Sequence, residues 1–399
     1  MTLTYLFSRI TRPVTPIVKP HQFDNVRNYR YKGLYLSIGY NYIIGPFCDW
    51  AVEFFPIWMA PNVITLIGFL VNLIPAFLLI YCYGYDLDGQ VDPWFSLMVG
   101  LTFWFYMFMD NCDGKQARRT GNGSPLGMMF DHQCDCFVAI INHFGIQRML
   151  QTGNGRYSVF MMTISTNPFF ACVLEHYYVG SFIHQYISGA DDGAFLYVGI
   201  SIYTWYYGSE ELWAKNNVEV FGQSIQLSYL CLAAFACCMF LLSFNNMRAI
   251  WAARNSEHSK KVWDNWCFFS HCVFFPLSVA TFVIAEAWSP TEIWLTHNRG
   301  MQVAHGLQVV YIVTILQYCH VIDSKMNAFR RPLVLTWVLY WINIYFMVTQ
   351  GTVLFDERIL LNSTNLMMLV CILYQMYNAQ IEFLDILNIQ MFRVKKVKQ

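Results

Sequence analysis

Asp110 to Asp135 reads D-N-C-D-G-K-Q-A-R-R-T-G-N-G-S-P-L-G-M-M-F-D-H-Q-C-D. It sets four carboxylates, Asp110, Asp113, Asp131 and Asp135, at the ends of two apolar runs, in a chain where charged residues are only 13% of the total. Acids at membrane depth are costly and therefore rare, so a cluster of four asks for a cation. Asp110 and Asp113 share a helical face at i,i+3, and Asp131 and Asp135 share one at i,i+4, with Gly127 one turn earlier. If the faces meet, the mutual repulsion calls for hard divalent ions, and an all-oxygen donor set favours Mg2+ or Mn2+, as a two-ion site, over zinc. Gly114, Ala117, Gly121, Gly123 and Gly127 leave room for close approach, while Lys115, Arg118 and Arg119 bring the positive charge that holds phosphates. Taken singly each aspartate reads as a solvated rim residue; together, metals, basic groups and small residues point to a pyrophosphate.

Outward from this stretch the chain is 56% hydrophobic and 18% aromatic, with a mean hydropathy of +0.36. That composition predicts an all-α polytopic membrane protein. The formal net charge of zero provides no overall basic field for nucleic acid. The cysteines lie in apolar runs without C-x-x-C pairs, and Cys112, Cys134 and Cys136 read as core residues because thiolates suit softer metals.

Apolar runs of membrane-spanning length predict about ten transmembrane helices, near 63–83, 93–109, 128–150, 157–183, 193–208, 221–243, 266–287, 301–322, 333–351 and 364–387. The expected organisation is an amphipathic N-terminal arm (1–60), a catalytic bundle (61–208) and C-terminal helices with a short basic tail (209–399). The arm holds Arg9, Arg12, Lys19, Arg27, Arg30 and Lys32. Its segment from Tyr35 to Phe55, continuing to Trp58, has the aromatic content of an interfacial piece. With the N-terminus in the cytosol, Lys115/Arg118/Arg119, Arg248/Arg254/Lys260/Lys261, Lys325/Arg330/Arg331 and Arg393/Lys395/Lys396/Lys398 all fall on that side. Asp86/Asp88/Asp92, Asn154/Arg156 and Asp356/Glu357/Arg358 fall on the other, as the positive-inside rule expects.

The signature spacing D-x2-D-G-x2-A-R-x8-G-x3-D-x3-D is met without a gap and resembles that of the CDP-alcohol phosphotransferase family; size and span number resemble its eukaryotic choline/ethanolamine branch. The resemblance implies transfer of phosphocholine or phosphoethanolamine from CDP-choline or CDP-ethanolamine to diacylglycerol, giving phosphatidylcholine or phosphatidylethanolamine and CMP. It implies metal ligation by Asp110, Asp113, Asp131 and Asp135, and donor binding by Asn62 (in P-N-x-I-T), Gly114, Lys115, Ala117, Arg118 and Gly127. Glu175-His176 resembles a W-E-H-Y stretch of plant-type relatives, with Leu174 in place of Trp, and is assigned to substrate binding. Gly189-Ala190-Asp191-Asp192-Gly193 is similar to a G-P-T-E-G loop, making Asp192 a second nominee for the general base after Asp135. The resemblance also implies an endoplasmic reticulum or Golgi membrane with the site facing the cytosol; a homodimer is left open. The competing readings are a transferase with an inositol or glycerol phosphate acceptor, and a divalent-cation transporter, which would instead place acids at mid-span and show an internal repeat.

Overall fold

Prolines open the helices that carry the signature. Pro61, Pro93 and Pro125 each sit in a first turn, where the missing N–H costs nothing and the fixed φ suits the helix. The computed structural model describes residues 17–153, 158–186, 189 and 191–394. Arg9, Arg12, Asn154, Arg156, Ala190, Lys395, Lys396 and Lys398 of the expectations above lie outside them. Among the described residues there are ten helical stretches of 17 residues or more. They are α1 (Pro61–Tyr83), α2 (Pro93–Thr120), α3 (Pro125–Met149), α4 (Ser158–Val179), α5 (Asp191–Tyr207), α6 (Leu227–Ala253), α7 (Asn265–Trp288), α8 (Asn298–Val321), α9 (Arg331–Gln350) and α10 (Glu357–Leu387).

The apolar run that begins at residue 93 fades near 109, yet α2 continues without a break to Thr120. The chain stops only at Gly121, whose φ of +64° is left-handed, and the Asn122 N–H then donates to the Ala117 carbonyl at 3.0 Å. Three residues later the Ser124 hydroxyl caps α3 by accepting from the Gly127 N–H at 3.1 Å. The signature is thus two helices joined by a tight turn, which brings its two acidic faces together. A second boundary also moves: residues 217–226 form a hairpin of β3 (Asn217–Val220) and β4 (Gln223–Gln226), so α6 starts at Leu227 instead of 221.

α2 packs between α1 and α5, α3 lies against α1 and α8, and α4 contacts α6 and α8. Nearly every residue of α8 from Met301 to Val321 is buried, including Gln302, His305, Gln308, Thr314, Gln317 and His320. Among the described residues five helices, α1, α6, α7, α9 and α10, are long and apolar enough to cross a membrane. α6 shows why: Phe240, Leu241 and Phe244 are exposed along its outer surface, as befits contact with lipid. α8 fails the same test for the opposite reason, since a helix enclosed by protein can carry polar side chains that bond to neighbours. Its Gln302, for example, bonds His143, Gln147 and Asn298. The chain is a multi-pass helical membrane protein.

The arm enters the bundle through β1 (Gly33–Tyr35), which pairs in parallel with β2 (Phe182–His184) in the register Tyr35↔His184. Beyond it the short helical segments Tyr40–Ile44 and Gly45–Ala51 leave Tyr42, Phe47, Trp50, Phe54 and Trp58 on the outside. These side chains give the arm an exposed aromatic face.

The contact between α2 and α5 depends on a glycine. A Cβ at Gly100 would lie 2.6 Å from the Ser201 Cβ, so the helices are too close for any side chain there. Gly100→Val is expected to destabilise the fold by about 1–3 kcal/mol through overpacking, read as a lower apparent Tm in detergent; an unchanged Tm would refute the close contact.

Candidate active site

The four aspartates of the signature converge. Asp131 is in side-chain contact with both Asp110 and Asp113, and Asp135 lies within electrostatic reach of Asp131. Each is positioned by helix geometry and by a neighbour. The Thr65 hydroxyl on α1 donates to Asp113 Oδ2. The Tyr106 hydroxyl, one turn before Asp110 on α2, donates to Asp135 Oδ1 at 2.7 Å. Asp110 Oδ1 and Asp131 Oδ1 are buried and accept no hydrogen bond, which is costly for an anion unless a cation supplies the missing charge. One oxygen each of Asp131 and Asp135 and a ring nitrogen of His132 lie within 4.8 Å of one another. This donor set fits a hard divalent cation. His132, which sequence reasoning passed over, adds a nitrogen at its edge.

The carboxylates line a cavity of about 820 Å³. Asn62, Gly114, Ala117, Arg118 and Gly127 line it as well. A Cβ at Gly127 would lie 3.2 Å from Asn62 Oδ1, so glycine lets α1 and α3 close around that amide. The Asn62 Nδ2 donates to the Met391 carbonyl at 2.9 Å, which ties the chain's C-terminal end over the site. The same cavity is lined by Ile164 and Pro168 of α4 and by Leu232, Phe235, Met239 and Leu242 of α6.

Of the three basic residues expected to face phosphate, only Arg118 lines the cavity. Lys115 is buried and turned to the arm, where its Nζ pairs with Asp49 at 2.5 Å and lies over the Tyr40 ring. Arg119 donates to the carbonyls of Val52 and Phe55 at 2.9 and 2.8 Å and pairs with Glu53. Arg119, one position on from Arg118, falls on another side of the helix, whereas Lys115 shares the side of Arg118 by spacing and is drawn off by Asp49; two of the three basic residues thus fasten the arm.

Glu175 and His176 are buried behind the cavity wall. His176 sits against His320, with ring centroids 4.0 Å apart, and within 5.8 Å of Tyr31. Asp192 also turns away from the expected position: its Oδ1 accepts from the Gly39 N–H at 3.0 Å and its Oδ2 from the Ser37 hydroxyl at 3.2 Å. The neighbouring Asp191 lines the cavity, and its Oδ2 bonds His184 Nδ1 at 2.8 Å. Sequence reasoning missed His184, and only the strand pairing brings it here.

The arm contributes Arg30, Tyr31, Tyr35 and Tyr40 to the same cavity. Tyr35 and Tyr40 stack at 4.3 Å. Burial pushes the phenols of Tyr31 and Tyr35 well up from their ordinary value, with the neighbouring tyrosine and Asp131 adding to the effect at Tyr31; both stay neutral donors. The sequence signal for these residues was aromatic content alone, too common in this chain to single them out.

Fold and site together define a multi-pass helical membrane protein with a carboxylate centre suited to a divalent cation. Residues 58–205 match the model of the CDP-alcohol phosphatidyltransferase family. It is similar to choline/ethanolaminephosphotransferase 1 of Arabidopsis thaliana, 36% identical over 52% of this chain and 51% of that protein. It is also similar to ethanolaminephosphotransferase 1 of Mus musculus, 27% identical over 81% of this chain and 80% of the relative. An uncharacterized class-I family protein 3 of Dictyostelium discoideum is 27% identical over 86% and 90% of the two chains. The chain thus spans about half the length of the plant relative it matches. The family is generally dependent on divalent metal, in keeping with the Asp-His-Asp group.

Two outcomes follow from this geometry. Asp131→Asn should weaken Mn2+ binding at least about tenfold, since even outer-shell changes cost that much; electron paramagnetic resonance titration of the purified protein reads it, and unchanged affinity would remove Asp131 from the ligand set. Asp192→Ala should release the arm, seen as faster hydrogen exchange at the Gly39 amide, and unaltered protection there would deny Asp192 its fastening role.

Proposed function

We propose that the protein transfers phosphocholine or phosphoethanolamine from a CDP-aminoalcohol to the hydroxyl of diacylglycerol, producing phosphatidylcholine or phosphatidylethanolamine and CMP. The observation that carries this reading is a single cavity lined both by the four aspartates and Arg118 and by apolar side chains of α4 and α6. The names of the plant and mouse relatives support the choice of substrates.

In this reading Asp110, Asp113, Asp131 and Asp135 hold Mg2+ or Mn2+, as two ions. Bound there, the metal neutralises the donor pyrophosphate and stabilises charge on the departing CMP. Arg118 grips the donor phosphates, Asn62 orients the nucleotide, and Gly114, Ala117 and Gly127 leave the space into which it fits. A Cβ at Gly114 would lie 3.7 Å from Arg118 Nη1, consistent with a guanidinium that folds back over that glycine. Lys115 supports the site through the arm, and Glu175 and His176 brace the wall behind it. The acceptor reaches its place laterally from the bilayer past α6, whose outer surface is apolar.

The same reading assigns all ten long helices to the membrane, with 61–208 as the catalytic bundle, 1–60 as an interfacial arm and 209–399 as supporting helices. α2, α3, α4, α5 and α8 then cross as well, α8 enclosed by protein and α5 with Leu196, Tyr203 and Tyr206 exposed on its outer side. The basic loops argue for a cytosolic site in an endoplasmic reticulum or Golgi membrane.

Purified protein supplied with diacylglycerol, Mg2+ and labelled CDP-choline or CDP-ethanolamine is expected to release CMP and form the matching phospholipid. Excess EDTA should abolish turnover, and Asp113→Asn should reduce it to background with the protein still folded. Release of no CMP from either donor would reject the reading, and full turnover in EDTA would reject the metal centre.

A further inference from the structure

We propose that Arg27, Arg30 and Arg393 form a basic collar at the mouth of the cavity that captures the phosphates of the incoming donor, an assignment that rests on the phosphotransferase reading above. The donor in that reading is an anion in water, and four carboxylates stand at the end of its path. Like charge slows such an approach unless charge of the opposite sign lies nearer the entrance. The three arginines line a pocket of about 230 Å³. That pocket shares Arg30, Pro61, Asn62 and residues 121–124 with the main cavity, so it is the antechamber of the carboxylate centre.

The arginines reach this pocket from opposite ends of the chain, and each end is fastened. Arg27 stands on the short helix Phe23–Asn28, held by Gln22 and Asn25, whose amides donate to the Ile322 carbonyl at 3.4 and 3.1 Å. Arg30 follows that helix and donates to the Tyr29 carbonyl at 2.9 Å. Arg393 lies beyond the end of α10, where the Met391 carbonyl accepts from Asn62 and the Phe392 ring sits 6.0 Å from that of Phe130. All three arginines are exposed. Arg27 makes a long contact of 3.8 Å with the exposed Asp24, and among the described residues Arg30 and Arg393 form no ion pair. Lys115 and Arg119, by contrast, are already paired with Asp49 and Glu53. The positive charge left to act on a solute at this face is therefore that of the collar.

The height of the pocket favours a water-soluble ligand. With α2 across the membrane, its apolar part fades near residue 109, and at a rise of about 1.5 Å per residue Gly121 stands roughly 18 Å further out. The pocket is thus beyond the hydrocarbon core, where phosphate arrives from solution. Guanidinium suits the task, because its planar fork matches phosphate oxygens and it is more weakly hydrated than an ammonium. No bond forms or breaks at the collar. It raises the local concentration of the donor, and Arg118 takes over the phosphates beyond it.

The test compares the full-length wild type with a double variant, Arg27→Gln with Arg393→Gln, in detergent micelles with diacylglycerol and Mg2+. At about 0.01 M ionic strength, where charges act over about 30 Å, kcat/KM for the CDP-aminoalcohol should fall about tenfold with kcat unchanged. At about 1 M, where they act over about 3 Å, the difference should vanish. Inhibition by CMP should weaken by a similar factor at low salt, while inhibition by uncharged cytidine should not change. The pair Arg27→Lys with Arg393→Lys should behave as wild type. Equal kcat/KM at low salt would overturn the proposal. So would a loss that persists at high salt or extends to cytidine, which marks a structural role for the two arginines. A defect seen only when phosphatidylserine is added to the micelles would also overturn it, since the pocket would then hold a lipid headgroup. A wild-type protein that releases no CMP would instead overturn the phosphotransferase reading, and the comparison of CMP with cytidine, read by direct binding, would still decide for or against the collar.

Discussion

The structure depends on one electrostatic constraint, four carboxylates drawn into a single buried space. Two of their oxygens accept no hydrogen bond, and Asp131 touches both acids of the preceding helix. Such an arrangement is unfavourable for the protein alone, because desolvation and like-charge repulsion act in the same direction. It becomes sound once a divalent cation completes it. Helix α2 running unbroken past its apolar part, the left-handed Gly121 and the capped start of α3 all serve to bring two acidic faces together.

Around that centre the molecule separates its solvents. Apolar α6, α7, α9 and α10 present side chains outward, while α8 spends its length inside protein and carries the polar residues that tie the bundle together. The histidine, glutamine and serine bonds along α8 replace the water those groups would otherwise seek. Fixed in this way, the interior gives the cavity a rigid wall on the side of α3 and α4.

The arm forms the opposite wall. It is fastened by Lys115 to Asp49, by Arg119 to backbone carbonyls, by Asp192 to Ser37 and Gly39, and by strand pairing. Residues that serve as clamps in one part of the signature therefore determine which tyrosines, and which histidine, reach the site. Charge that looks catalytic in a linear reading is spent in part on holding a lid of aromatic residues in place.

The sequence by itself determined the membrane class, the helical architecture and the identity of the four central acids, because hydropathy and helical spacing are local properties that survive without knowing the partners. Only the tertiary structure decided which charges face the cavity: Arg118 does, whereas Lys115 and Arg119 turn to the arm, since their directions depend on what packs against α2. The exchange of Asp192 for Asp191 at the cavity wall is the same case, as adjacent residues at a helix start point apart and nothing local says which meets the ligand. His184 was illegible for a further reason. It reaches the site through pairing between strands about 150 residues apart in the chain, a non-local contact that no pattern of neighbours encodes.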